Sequence, residues 1–351
     1  MSKFFSSKYF LCKSLAASVV AGLLSVTLLW EPAQARDYQF LDAELHYFDP
    51  QQRSDGMALL LKNMDEANIG SALLTGFAVT KKWAGNEPKR PRFYASDDAS
   101  VYWYSATDML VYDAVKSVSE KDQKRFYPFI TGFNPTDLNA VEHIERLLKR
   151  DPGFWKGIGE VFTRHDELTS LTDGEKPLAN HTALLRVYAL AAKHDLPVLL
   201  HSNLTSTREP DFIFLPELKD ALESSPDTTF IWAHAGVSAA IDRRQTLKGV
   251  PELVNDLLGE YENLNILLSW TLVDYLYDEK GAPKKVWLDV VKAYPDRFVI
   301  GSDVVGRFNN LNKYMDKFRP FLDALPEDIA HQVASTNLLQ WLPPQDAKQV
   351  H

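Results

Sequence analysis

The chain has almost no cysteine, and it has fewer positive than negative charges. Its only cysteine is Cys12, so no later residue can form a disulfide or act as a thiolate nucleophile. Against 47 Asp and Glu stand 38 Lys and Arg, which gives a formal net charge of −9. An acidic body disfavours nucleic acid and anionic membrane surfaces as partners. The chain has no internal repeat or low-complexity tract either. The partner that we expect is a small-molecule substrate.

The first 35 residues are typical of a secretory signal peptide. Three lysines precede an uncharged apolar run at 14–30, and a small-residue cleavage sequence ends at Ala35. The run is at the short edge for a membrane-spanning helix, so a retained anchor is the alternative interpretation. We expect cleavage after Ala35, no stable membrane anchor afterwards, and a periplasmic or secreted product.

Cleavage would leave a mature chain of 316 residues that has no cysteine at all. The removed segment carries three lysines and one glutamate, so the net charge would change from −9 to −11. A thiol-free exported protein is compatible with a bacterial periplasm. The length suits one α/β barrel, which typically takes ~250 residues plus insertions. We therefore predict a signal peptide at 1–35 and a single domain at 36–351.

Apolar, β-rich runs alternate with segments of helical periodicity along the mature chain. We predict strands at 38–47, 69–79, 125–132, 155–162, 196–202, 228–234, 264–270 and 297–302. The clearest helix is 182–193, whose apolar residues fall on one face. Eight strands with helical crossovers predict a parallel (β/α)₈ TIM barrel with its chemistry at one rim. The long irregular stretch 80–113 is expected to rise over that rim.

Four of the apolar runs end in side chains that can bind a cation or move a proton. These residues are Glu44 with His46, then His201, His234 and Asp303. Residues two apart in a strand point the same way, so Glu44 and His46 would converge on the barrel axis. A buried carboxylate beside a buried imidazole needs a compensating cation, which a divalent metal supplies. Each motif alone is also compatible with an ion pair, a hydrogen-bonded histidine or a helix cap; their recurrence favours one metal site.

Two further carboxylates accompany this set. Asp42 shares the face of Glu44 one layer deeper, where it could orient a metal ligand. Glu160 lies in a strand with two glycines; if Glu160 faces the lumen, strict alternation puts Gly157 and Gly159 on the outer face. Glu160 could contact the metal, transfer a proton, pair with His201 or pair with a rim cation. We favour a role behind the metal ligands or at the substrate.

Taken together, the motifs resemble the amidohydrolase superfamily, in particular the amidohydrolase-related branch that includes aminocarboxymuconate-semialdehyde decarboxylase. The resemblance runs from the first-strand motif to 331–338, which is similar to the closing helix of that family. It implies a (β/α)₈ barrel with one divalent metal ion and an unligated catalytic imidazole, His234. The ligands that it implies are Glu44, His46, His201 and Asp303.

Glu44 stands where this family usually has the first histidine of His-x-His. Several decarboxylating relatives carry an acidic residue there. Two carboxylates and two imidazoles do not select zinc clearly, so manganese is comparably plausible. Metal identity and reaction type therefore both stay open at this point.

Aromatic and arginine side chains near the strand ends indicate the substrate class. Trp270 ends the seventh predicted strand, and the stretch 80–113 carries Phe93, Tyr94 and the run Tyr102-Trp103-Tyr104. Arg164 and Arg307 follow the fourth and eighth strands. A guanidinium that reaches the pocket would bind a substrate carboxylate. The alternative is that these arginines are solvated or paired with acids.

Three functions are compatible with these residues. The first is an exported metal-dependent hydrolase acting on an amide, lactone or ester, with Asp303 as proton acceptor and His234 as acid or oxyanion stabiliser. The second is a metal-dependent nonoxidative decarboxylase, which Glu44 favours. The third is a noncatalytic, metal-bearing periplasmic binding protein, against which His234 and Asp303 argue. Whether the chain forms a homo-oligomer is left open.

Overall fold

Parallel strands wind around one axis and alternate with helices, as the spacing of apolar runs predicts. The computed structural model describes residues 36–81 and 101–343. Its strands are β1 (Phe40–His46), β2 (Ile69–Thr75), β3 (Val79–Lys81), β4 (Val101–Trp103), β5 (Phe126–Ile130), β6 (Gly157–Thr163), β7 (Val198–Ser202), β8 (Phe230–Ala233), β9 (Leu264–Leu268), β10 (Phe298–Ile300) and β11 (Val304–Val305). β3 and β4 form a separate antiparallel hairpin, and the other nine join in the order β10-β9-β8-β7-β6-β5-β2-β1-β11.

β10 and β11 are two parts of one eighth strand that closes the barrel. β10 pairs with β9, whereas β11 pairs with β1 through Leu45 opposite Val304. Gly301 lies between the two parts, where an added Cβ would come within 2.8 Å of the backbone nitrogen of Glu44. Only glycine allows the first and last strands to approach this closely. The predicted (β/α)₈ TIM barrel is thus confirmed.

Helices follow the strands around the outside. The longer ones are α1 (Met57–Glu66), α2 (Ala106–Lys116), α4 (Ala140–Arg150), α5 (Thr182–Lys193), α6 (Leu215–Ser224), α8 (Val250–Glu260) and α10 (Lys285–Ala293). The short ones are α3 (Glu120–Gln123), α7 (Ala239–Asp242), α9 (Leu272–Tyr275), α11 (Leu311–Asp316), α12 (Arg319–Asp323), α13 (Glu327–His331) and α14 (Asn337–Trp341). The described residues also form two 3₁₀ turns, Thr169–Leu171 and His234–Gly236, and one π-turn, Gln332–Thr336. Within the described ranges, we find no helix with the length and hydropathy needed to cross a membrane.

The strands carry two apolar cores, one on each face. The inner core fills the barrel with one or two residues from most strands, such as Leu73, Leu199 and Leu267, and residues around α14 close its base. The outer core joins the opposite faces to the helices and contains Trp232 and Trp287. Burial on both faces explains why the strands read as continuous apolar runs.

Strict alternation fails in the two strands that carry the acidic site residues. The β1–β2 register shifts between Asp42 and Leu45, and the β6–β7 register shifts between Ile158 and Val161. Each shift is a bulge that changes which face the next residue occupies. The prediction that both glycines of β6 face outward is therefore wrong. A Cβ on Gly157 would lie 2.2 Å from the ring of Phe129, which belongs to the inner core.

The predicted irregular stretch at 80–113 contains regular structure. β3, β4 and the start of α2 fall within it, so the prediction of an irregular loop is wrong for 101–113. Apolar residues at helical spacing in α2 pack against the barrel, with Val111 and Val115 buried. The predicted aromatic residues Phe93 and Tyr94 lie outside the described residues, as does the predicted signal peptide at 1–35.

Asp108 ties α2 to the barrel next to the strand that carries Glu160. Its buried carboxylate accepts hydrogen bonds from the backbone nitrogens of Thr131 at 3.0 Å and Gly132 at 2.9 Å. The Thr131 hydroxyl in turn donates to the carbonyl of Glu160 at 2.6 Å. Burial raises the pKa of Asp108 to about 7 despite these two hydrogen bonds.

This raised pKa predicts how pH affects stability. The folded value lies above the ordinary value of 3.8, so the stabilisation from Asp108 is complete below about pH 4 and is lost as the pH rises through about 7. We expect Asp108→Asn, which cannot titrate, to show a smaller loss of unfolding free energy between pH 4 and pH 8. Urea unfolding at several pH values measures this. Asp113→Asn, an exposed change in the same helix, should keep the wild-type slope; equal slopes in all three proteins would contradict the account.

Candidate metal centre

A cavity of about 590 Å³ opens at the carboxyl ends of the barrel strands. The residues from the predicted site that line it are His46, Glu160, His201, His234, Trp270, Asp303 and Arg307. Glu44 lies fully buried near the same imidazoles. The barrel thus brings together side chains that are up to 259 positions apart in sequence.

Glu160 is at the centre of this group. Its Oε2 lies 3.1 Å from His46 Nε2, and its Oε1 lies 3.0 Å from His201 Nδ1 and 3.4 Å from His234 Nε2. Burial would raise the pKa of Glu160, but hydrogen bonds with the three imidazoles lower it well below its usual range. The sequence placed Glu160 behind the ligands, whereas the bulge in β6 puts its carboxylate among them.

The hydrogen bonds of His46 decide which of its nitrogens faces the site. Nδ1 lies 2.7 Å from the hydroxyl of Thr75, which donates its own hydrogen to the carbonyl oxygen of Gly76, so Thr75 accepts and Nδ1 carries a hydrogen. Nε2 faces Oε2 of Glu160 and, at 3.3 Å, Oδ1 of Asp303. Its lone pair is therefore available to a cation in the neutral ring.

A similar relay orients His201. Its Nε2 lies 3.1 Å from Oδ1 of Asn203, whose Nδ2 donates to Asp166 at 2.7 Å. The carboxylate of Asp166 therefore fixes the amide so that its oxygen accepts from His201 Nε2. This leaves His201 Nδ1 with its lone pair toward Glu160.

Two histidine lone pairs that face carboxylate oxygens repel them unless a positive charge lies between. At His46 a proton can supply that charge. Burial would lower the pKa of His46, but hydrogen bonds with Asp303 and Glu160 raise it well above its ordinary value. A divalent cation can take the same role, because it accepts both nitrogen and oxygen donors.

Glu44 supplies the second indication of a cation. Both carboxylate oxygens are buried and have no hydrogen-bond partner among the described residues, and the nearest imidazole nitrogen, Nδ1 of His234, lies 3.6 Å from Oε2. Burial and the neighbouring Asp303 and Glu160 carboxylates raise the pKa of Glu44 well above its ordinary value. An unpartnered buried carboxylate is costly unless a cation or proton compensates it. The donor atoms of Glu44, His46 and Glu160 lie within 4.8 Å of one another, as do those of Glu160, His201 and His234. These residues therefore fit a metal-binding site.

Asp42 supports the site through the backbone. Its Oδ1 accepts from the backbone nitrogens of Glu44 at 3.1 Å and Ser302 at 2.8 Å. Burial raises its pKa to about 6. The predicted supporting role is therefore carried by contacts with the chain next to Glu44 and Asp303, and the described contacts include none to an imidazole.

Several site residues adopt a left-handed backbone just after their strands. His234, Trp270 and Asp303 have φ of 54°, 46° and 50°. Non-glycine residues in this region cost of order 1–3 kcal/mol each and concentrate at functional sites. All three side chains line the cavity. Trp270 lies two residues beyond the end of β9, so the prediction that it ends the strand is wrong by that amount.

The predicted arginines divide into one that reaches the cavity and one that does not. Arg164 pairs with Glu217, with Nε to Oε2 at 2.8 Å, and its guanidinium lies over Phe214; it is not among the cavity-lining residues. The prediction that it contacts substrate is therefore not supported by its position. Arg307 lines the cavity and binds Asp49 at 3.1 Å.

Arg53 and His165 are two of the lining residues that the sequence analysis did not predict. Arg53 shares Asp49 with Arg307 and pairs with it at 2.9 Å. His165 stacks on His201 with a centroid separation of 4.5 Å, and burial lowers its pKa well below the ordinary value. Their only signal in the sequence is a place shortly after a strand end, which many surface residues share.

The family model described as amidohydrolase matches residues 66–339. The match begins after β1, so Glu44 and His46 lie outside it. Solved structures of similar fold include a 2,6-dihydroxybenzoate decarboxylase complexed with 2,6-dihydroxybenzoate, at 16% identity and a TM-score of 0.51 over 87% of this chain and 99% of that one. No curated protein sequence matches the chain.

Two other solved structures are comparable. A dihydroxybenzoic acid decarboxylase from Polaromonas sp. JS666, with bound manganese and 2-nitroresorcinol, has 13% identity and a TM-score of 0.52 over 87% of this chain and 97% of that one. An amidohydrolase from Burkholderia multivorans with bound HEPES has 13% identity and a TM-score of 0.51 over 87% and 99%. At these identities the likeness shows the shared barrel fold.

The central position of Glu160 predicts its effect on metal binding. We expect Glu160→Gln to weaken binding of Zn²⁺ and Mn²⁺ by at least about 10- to 100-fold, because the amide removes a negative charge that three imidazoles face. Calorimetric titration of metal-free protein measures this. The matched control is Asp274→Asn, which changes an exposed cavity-lining carboxylate paired with Lys317. Unchanged affinity in Glu160→Gln, or an equal loss in both variants, would contradict this assignment.

Proposed function

The chain belongs to the amidohydrolase family, and we propose that it is a hydrolase that cleaves an amide, lactone or ester bond in a small substrate. We assign metal binding to Glu44, His46, His201 and Asp303, with Glu160 beside them. A divalent ion, when bound, polarises a substrate carbonyl and makes water more acidic. The observation that carries the proposal is that a proton acceptor and an imidazole line the cavity beside these donors.

Asp303 is the best-placed proton acceptor. Its side chain is 11% exposed, whereas those of Glu44 and Glu160 are 0% and 2% exposed. Water in the cavity can therefore reach Asp303 but has little access to the other two. The backbone nitrogen of Asp303 donates to the carbonyl of Glu44 at 2.9 Å, which fixes the carboxylate at the rim. Asp303 would take a proton from the attacking water.

His234 is placed to hold or deliver a proton on the leaving side. Its Nδ1 lies 2.8 Å from the hydroxyl of Ser269, and its ring meets the edge of Trp270 at a centroid separation of 5.2 Å. These contacts orient the imidazole in the cavity wall. An oriented imidazole can protonate a leaving group or stabilise a developing oxyanion.

The cavity lining supports a small substrate that is partly aromatic or acidic. Phe77, Phe162 and Trp270 form an aromatic part of the wall. Arg53 and Arg307 supply guanidinium groups at the rim, next to Asp49. Aromatic faces bind planar apolar groups, and guanidinium binds carboxylates.

Nonoxidative decarboxylation is the second candidate, favoured by Glu44 and by the aromatic wall. In that reaction the hydroxyl and carboxylate of an aromatic or unsaturated acid would face the donor set while a side chain delivers a proton to carbon. A panel of lactones, esters and acyl amides, run beside hydroxybenzoates with CO₂ followed, separates the two candidates. Zn²⁺ and Mn²⁺ are both compatible with the carboxylate-imidazole donors, so each should be tested.

The role of His234 gives a direct prediction. We expect His234→Asn to lower turnover of the best substrate by about 10²- to 10⁴-fold, because it removes the positioned acid. Metal content should stay at the wild-type level if His234 acts on substrate, and mass spectrometry of the purified protein measures it. Wild-type turnover in this variant would contradict the proposed role, and loss of metal would reassign His234 as a ligand.

We also propose that the protein is exported and that cleavage follows Ala35. In a Gram-negative host, the periplasmic fraction should then contain a product whose intact mass matches a chain that begins at Arg36. Ala35→Lys should block processing, because the site requires a small residue. Full-length wild-type protein confined to the cytoplasmic fraction would contradict the proposal.

A further inference from the structure

We propose that His165 binds substrate, donating a hydrogen bond from Nε2 to the oxygen that becomes negative during the reaction. This inference rests on the proposed function, and it gives a role to a residue that neither the ligand set nor His234 accounts for. It follows from the position of the ring, from the contacts that fix it, and from the one nitrogen that those contacts leave available.

The backbone around His165 is held firmly. Arg164, just after β6, has a left-handed φ of 48°, which turns the chain back at the end of the strand. The nitrogen of His165 donates to the hydroxyl of Thr169 at 2.9 Å, and its carbonyl accepts from the backbone nitrogen of Ser170 at 3.1 Å. Hydrogen bonds therefore hold both the backbone nitrogen and the carbonyl oxygen of His165, which fixes the position of this residue.

Aromatic neighbours fix the plane of the ring. His165 stacks on His201, at 4.5 Å and 22° between planes, and also contacts Trp270, at 6.0 Å and 29°. Phe162 meets it edge-on at 5.7 Å. The ring is buried but lines the cavity directly beside an imidazole of the donor set. A hydrogen bond from the ring of His165 would therefore act at the site of reaction.

A backbone hydrogen bond decides which nitrogen is the donor. The nitrogen of Glu167 donates to Nδ1 of His165 at 3.2 Å. An amide N–H can only donate, so Nδ1 holds a lone pair and the ring hydrogen is on Nε2. Among the described residues, no group forms a hydrogen bond with Nε2. Nε2 is also not one of the fully buried side-chain atoms that lack a partner. The cavity is therefore lined by a ring whose fixed N–H donor has no acceptor among the described residues.

A neutral, fixed N–H suits an oxygen that gains negative charge. A preorganised donor costs no reorganisation when charge develops on a carbonyl oxygen, and it acts strongly in a water-poor site. The carboxylates of the donor set offer no hydrogen for this purpose when ionised. His165 adds the donor that such a reaction needs, and no proton has to leave its ring.

Two substitutions separate the donor from the stacking. His165→Phe keeps a flat ring and removes the hydrogen, whereas His165→Gln places an amide N–H near the position of Nε2. We expect His165→Phe to lower kcat by about 100-fold, and His165→Gln to recover to within about tenfold of wild type. Metal content should be unchanged in both. The control is His194→Phe, at the end of α5 just before β7 begins and so away from the cavity.

Phenylphosphonate provides a readout that does not depend on knowing the substrate, since its tetrahedral oxygens resemble the charge of a hydrolysis transition state. Calorimetry on zinc-loaded protein should show affinity weakened by about 10- to 100-fold in His165→Phe, as expected for loss of a hydrogen bond to a charged group. His165→Gln and His194→Phe should bind nearly as wild type does. Equal affinity in wild type and His165→Phe, with metal still bound, would overturn the inference.

This second arm also distinguishes the two proposals. If wild type hydrolyses no compound in the panel but binds phenylphosphonate in a His165-dependent way, the reaction class is wrong and the donor assignment stands. If wild type hydrolyses substrates and His165→Phe does so equally well, the donor assignment is wrong and the reaction class stands. Nitrogen-15 spectra of histidine-labelled protein check the tautomer itself: a His165 ring protonated at Nδ1 would also overturn the assignment.

Discussion

The barrel is organised around buried negative charge that requires a cation. Glu44, Glu160 and Asp303 converge with three imidazoles at the carboxyl ends of the strands, and no described residue forms a hydrogen bond with the oxygens of Glu44. Histidine lone pairs face the same carboxylates, because hydrogen bonds on the far side of each ring use its other nitrogen. A cation turns this mutual repulsion into coordination, and much of the surrounding structure serves to hold the donors in place.

That support is distributed over several parts of the chain. Gly301 lets the last strand approach the first, and Asp42 binds the backbone on both sides of that contact. Asn203 and Asp166 orient His201, and Asp108 holds the loop whose threonine contacts the carbonyl of Glu160. Each contact acts on a ligand or on the backbone beside it.

The barrel itself could be predicted from the sequence for a simple reason. Its strands are buried on both faces, so they stand out as apolar runs, and polar residues at their ends mark one rim. β9 begins at the predicted residue, and α5 has the predicted bounds. The same pattern predicted five residues of the site, because they lie at the ends of such runs: Glu44, His46, His201, His234 and Asp303.

What the sequence could not supply depends on bulges and long-range contacts. The bulge in β6 cannot be read from apolar periodicity, and it moves Glu160 from a supporting position to the middle of the donor set. Arg164 and Arg307 both follow a strand, but only the position of Glu217 shows that Arg164 is paired away from the cavity. The role proposed for His165 depends on a ring stack and one backbone hydrogen bond, and neither contact can be recognised from a pattern in the sequence.

The most direct test of the central claim is the position of a bound metal ion. Crystals of protein loaded with Zn²⁺ or Mn²⁺ should be measured at the absorption edge of the metal. The anomalous peak should lie about 2.0–2.2 Å from Nε2 of His46 and from a carboxylate oxygen. A peak away from Glu44, His46 and Glu160, or fully loaded protein with no peak in the cavity, would contradict the account.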